Sequence, residues 1–82
     1  MDKKLVMYTQ CVLKRPSDGG FLVDNAWIPS EFAKLGKVLK IKQDDNIWQD
    51  GWKVTSVGTT RNIEWLQTHE RDYLHQREAS DI

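Results

Sequence analysis

The stretch GKVLKIKQDDNIWQDGWKVTSVG, residues 36–58, decides the fold. Leu39 and Ile41 alternate with Lys40 and Lys42. After the turn signals Asp44-Asp45-Asn46 and Asp50-Gly51, Trp52 and Val54 alternate with Lys53 and Thr55. A period of two is the mark of half-buried antiparallel strands. The stretch predicts a hairpin, strands three and four of the chain, closing at Gly58.

Working outward, Lys4 to Arg15 reads as a first strand, with Leu5, Met7, Thr9, Cys11 and Leu13 on one face and Val6, Tyr8, Gln10 and Val12 on the other. Both faces are rather apolar, so this strand is expected to be covered twice, by barrel closure, a helix or a second subunit. Pro16-Ser17-Asp18-Gly19-Gly20 is a turn, since proline presets φ and glycine accepts positive φ. Phe21 to Ile28 returns as a second strand. Pro29 cannot donate to a ladder and closes it. Ser30 to Gly36 suits one helical turn, with Phe32 and Leu35 three apart to plug the end of a barrel and Gly36 as its stop.

From Thr59 the spacing turns helical: Thr59 or Thr60 can cap, and Ile63, Leu66, Tyr73 and Leu74 form a stripe interrupted by the polar Gln67–Asp72. Only the first two turns are expected to be anchored, leaving Glu70 to Ile82 to project or to dock elsewhere. The predicted organisation is a mainly β domain with a C-terminal helix. It is a small antiparallel barrel of four to five strands over residues 1–58, with a short helical turn near residues 30–35, followed by a helix and tail over 59–82.

Eighty-two residues support one modest core. The single Cys11 forms no internal disulfide, and the N-terminal residues carry no secretory pattern, so a cytoplasmic protein is expected. No apolar run approaches the ~18 residues of a membrane span. Charge is unevenly spread. Through Gln43, eight Lys/Arg oppose four acids, giving +4; from Asp44 onward four oppose eight, giving −4. Such asymmetry can steer a partner, or simply let two halves attract.

Chemical signatures are sparse. His69 and His75, six residues apart, stand about 240° apart round a helix and cannot share a metal from one face; ordinary solvated histidines account for them. Cys11 lies mid-strand, where a buried thiol acts as a small hydrophobe. Asp44-Asp45 falls in a turn, where carboxylates bond their own backbone. No cofactor or metal site is expected, and a non-enzyme is the reading. Trp48 is different: it sits in a polar turn beside Lys40, Lys42 and Lys53. It can anchor a protein interface, stack on a base while the lysines meet phosphates, or fold back onto Trp27 or Trp52.

The run AKLGKVLKIKQDDNIWQDGWKVTSV, residues 33–57, resembles the centre of Src-homology-3-like small barrels: a diverging segment ending in Gly, a strand, an acidic turn, then Gly-Trp opening the next strand. The resemblance covers about a third of the chain and implies a small barrel, with Trp48 or Trp52 at the position that touches ligands in peptide-binding members. The aromatic-rich first-strand motif of that family is absent from Leu5–Arg15, where only Tyr8 could contribute, so proline-peptide binding is not carried across. In its layout the chain is also similar to small accessory proteins of bacteriophages, which implies action in a host cytoplasm. The expected function is a protein-binding module that modulates a host or phage protein, using Trp48, Tyr73 and Leu74 with Lys40, Lys42 and Lys53 as a charged rim. Two alternatives stand beside it: a nucleic-acid-binding barrel using the lysine face, and a subunit of a homo-oligomeric assembly that buries the first strand and the tail.

Overall fold

The computed structural model describes residues 6–69 and 76–81. Along them run β1 (Met7–Ser17), β2 (Gly20–Pro29), a 3-10 turn (Ser30–Phe32), β3 (Val38–Lys42), β4 (Trp48–Asn62), helix α1 (Ile63–His69) and β5 (Ala79–Ser80). The strands form one antiparallel sheet in the order β2-β1-β4-β3-β5. The protein is thus mainly β with one short helix near the C-terminus, as the alternation predicts. The hydrogen-bonded ladder does not close into a ring.

Alternation along each strand sends Cys11 and Leu13 of β1, Ala26 and Ile28 of β2, Leu39 and Ile41 of β3, and Trp52 and Val54 of β4 into one buried cluster. A flat single-layer sheet leaves both faces wet. These side chains, all from one face, are buried against one another, so the sheet curls around them. Phe32, Ala33 and Ala79 pack on the cluster from its ends. Within it, the Thr9 hydroxyl is satisfied by Ser30 Oγ at 2.9 Å and Thr60 Oγ1 at 2.8 Å.

The curvature is produced largely by β4, whose 15 residues pair with β1 on one side and β3 on the other. Its register slips twice against β1 and once against β3. Bulges of this kind bend the longer strand and raise its local twist.

Several boundaries differ from the sequence reading. β1 continues through Pro16 to Ser17, and the turn is only Asp18-Gly19, with Ser17 facing Gly20. Pro16 is tolerated because the β1–β4 ladder has already ended at Lys14–Lys53, so no partner there needs its missing N–H. The helical turn stops at Phe32, and Leu35, expected beside it as a plug, is 69% exposed. β4 does not end at Gly58, and a division of the chain at that residue falls inside the strand. Thr60 and Arg61 pair with Thr9 and Tyr8 instead of starting a helix. The helix begins at Ile63, where Asn62 Oδ1 accepts the Trp65 N–H at 2.7 Å in the usual N-cap manner.

The tail differs most. It was expected to leave the body, but residues 76–81 cross the molecule from the edge of β2 to the edge of β3. Gln76 bridges Trp27 in parallel, and the Arg77 N–H donates to the Trp27 carbonyl at 2.9 Å. The Glu78 carbonyl accepts from Lys42 N at 3.0 Å. Ala79 and Ser80 pair with Ile41 and Lys40, and Asp81 meets Lys37 Nζ at 2.9 Å. Two-residue β5 has too little pattern to announce itself. Its place is set by main-chain groups and three ion pairs, the other two being Lys42–Glu78 and Arg77–Asp44.

Candidate binding face

The face of the sheet turned away from the core carries the exposed side chains. Trp48, 43% exposed, lies directly across from Lys42. Further along β4, Lys53 lies across from Val38 on one side and from Lys14 on the other. Lys14 in turn faces Val23 of β2, and the next pair towards the tip is Pro16 with Phe21. Val38, Val23 and Phe21 are 52%, 59% and 66% exposed.

Trp48 and Lys53 are an odd number of residues apart, and in a regular strand they would point to opposite faces. They share a face because the strand carries one extra residue between Gln49 and Trp52, opposite Leu39–Ile41. Gly51 adopts φ 86° there, a value that glycine takes without a Cβ penalty. The Arg15 Nε–H donates to the Asp50 carbonyl at 2.6 Å and pins this bulge to β1. The same slip sends Trp52 inward, where its indole N–H donates to Gln49 Oε1 at 3.1 Å. Trp48 therefore does not fold back on Trp52: the two indoles serve different faces.

Of the residues singled out from sequence, Trp48 and Lys42 are brought together, although Lys42 Nζ also lies 3.6 Å from a Glu78 carboxylate oxygen. Lys40 is half-buried beside Ser80 of β5. Lys53 stands apart from both, next to Lys14. Tyr73 and Leu74 lie outside the described residues. Lys14, Phe21, Val23 and Val38 were missed. The run Phe21-Leu22-Val23 carries apolar side chains for both faces, and composition gives no sign which of them finds a covering layer.

The Lys14–Lys53 pair is the unusual element. Like charges directly across an antiparallel ladder destabilise it. Among the described residues no carboxylate lies within ion-pair distance of either ammonium. Three exposed apolar side chains surround the pair.

Other groups have local explanations. Burial pushes the Cys11 thiol up from 9.0, so it stays protonated, and its Sγ lies 3.5 Å from the Thr9 carbonyl. Arg61, Trp65 and His69 form a column, with the guanidinium 4.8 Å from the indole centroid and the imidazole stacked at 4.9 Å. Among the described residues, no three His, Cys, Asp or Glu side chains converge as a metal site would need, and no helix is long and apolar enough to cross a membrane. Comparison with known proteins finds no matching family model, no matching curated protein and no matching solved structure.

Proposed function

We propose that this protein is a non-enzymatic protein-binding module that acts through the outer face of its sheet. The observation that carries this reading is the Lys14–Lys53 pair, set without a counter-charge among exposed Phe21, Val23 and Val38. Repulsion built into a ladder is relieved when an outside carboxylate arrives, and the flanking apolar side chains then lose water. Trp48 beside Lys42 extends the same face at its far end. The partner surface is acidic with apolar residues between the acids.

The test compares capture of partners from a cell lysate by the wild-type chain and by Lys14→Glu/Lys53→Glu. A protein captured by the first and lost by the second, with unchanged melting, supports the reading; equal capture overturns it. A nucleic-acid partner is the second reading, favoured by the same lysine pair. Phosphates would leave Phe21, Val23 and Val38 uncovered, which is why a protein is preferred. Binding to single-stranded oligonucleotides that falls steeply with salt would reverse that order.

A further inference from the structure

β2 is an edge strand, and natural edges are normally guarded by lysine, proline, a bulge or covering chain. From Gly20 to Ala26 this one has no lysine, proline, bulge or covering chain among the described residues: its ladder with β1 runs without a register shift, and a single half-buried charge on the inner flank, Asp24, is its one guard. The direction of its main-chain groups follows from one bond. The Trp27 carbonyl points to the open side, because it accepts from Arg77 N. Parity then turns the N–H and C=O groups of Asn25, Val23 and Phe21 to the same open side. Trp27 shows that the edge takes a second chain segment, and the row beyond it continues the same hydrogen-bonding track.

We propose that this row, Phe21 to Asn25, receives an extended segment of a partner protein as an added sixth strand. The proposal rests on the face reading above and specifies how the partner sits. Charge sets its pattern. On the outer flank the neighbours are Val23 and Phe21, with Lys14 one strand further in; on the inner flank they are Leu22, 46% exposed, and Asp24. An incoming strand therefore places carboxylates on the outer side, towards Lys14 and Lys53, and apolar side chains on the inner side, beside Leu22. Acidic and apolar residues alternating with period two meet both demands, main-chain bonds giving affinity and the alternation giving selectivity.

The probe is a synthetic peptide alternating Glu and Val over roughly eight residues, with its Lys/Val counterpart as control, and the readout is amide exchange on the full chain. The Glu/Val peptide should slow exchange at Phe21, Val23 and Asn25 and the Lys/Val peptide should not. Val23→Pro and, independently, Asn25→Pro delete an outward N–H without touching the β1 ladder, so each should weaken binding about tenfold or more while melting changes little. Val23→Thr, which keeps the N–H, should retain binding. No protection by the Glu/Val peptide overturns the proposal, as does binding that survives both proline variants. In that last case loss of binding in Lys14→Glu would leave the face reading standing. Indifference to Lys14→Glu with edge protection intact would sink the face reading instead. Two further results overturn the proposal: slow exchange of those amides in the dilute free protein, meaning that the chain covers its own edge, and a dimer seen by light scattering that Val23→Pro abolishes, meaning that a second copy does.

Discussion

Trp48 and Trp52 differ in consequence because they lie on opposite sides of one bulge. Trp52 is buried, with its indole N–H satisfied, so Trp52→Ala should remove about 3–5 kcal/mol, a large share of the roughly 5–15 kcal/mol that holds a small domain together. Trp48→Ala should change stability by no more than about 0.5 kcal/mol and should weaken partner binding. Urea denaturation of both variants checks the contrast; a large loss in Trp48→Ala would make that side chain part of the core. Gly51→Ala separates strain from crowding. The nearest atom to an added Cβ is Arg15 Cγ at 3.8 Å, so space is ample and only the positive φ opposes the change. The expected cost is about 1–2 kcal/mol, read as a lower urea midpoint with an unchanged slope.

At the level of strands and segments, the Lys14–Lys53 pair predicts a trade between stability and binding. Lys53→Thr removes the repulsion and adds a β-branched residue, so the domain should gain about 0.2–1 kcal/mol while partner affinity falls. A loss of stability would show that the two ammonium groups do not oppose folding. The C-terminal segment carries its own acid sensitivity. Lys37 beside Asp81, through a side-chain hydrogen bond and charge attraction, holds that carboxyl below its ordinary 3.8. A lowered folded-state value means that the contribution is present above 3.8 and is lost as pH falls through the depressed value. Protection of the Lys42 amide, which is bonded to the Glu78 carbonyl, should therefore fall in that acidic window once the intrinsic pH dependence of exchange is divided out; Asp81→Asn should take away the part of that fall that Asp81 causes.

These strands also show where sequence reading succeeds and where it stops. β3 and the inner face of β1 were legible because regular alternation survives wherever pairing is unbroken. β4 was legible only near Trp52, since each bulge resets the phase and makes Thr59–Asn62 look detached from the sheet. The segment 76–81 was illegible because long-range main-chain pairing leaves no periodic trace in so few residues. The site was half-legible. Trp48 with Lys42 stood out as an aromatic beside a charge in a turn, but the Lys14–Lys53 contact joins residues 39 positions apart and depends on a register that no local pattern specifies.

At the scale of the whole molecule, inside and outside are assigned by where one strand changes phase. Removing Gly51 altogether, unlike replacing it, would make the separation of Trp48 from Lys53 even, so that unbroken alternation would by itself keep both on the outer face and Gln49 and Trp52 on the inner one. Gln49, Asp50 and Trp52 would then run opposite Ile41, Lys40 and Leu39 without a slip, and what would be lost is the bend that the bulge gives β4. A straighter hairpin wraps the core less closely, so the deletion should lower the urea midpoint. Indole fluorescence should keep its wavelength, because neither ring changes face; a shift to the blue or to the red would show that the hairpin had slid instead. The extra residue is thus a spacer whose phase shift the strand absorbs as a kink: it bends the hairpin around its interior, and without it the two chemically alike rings would keep their sides.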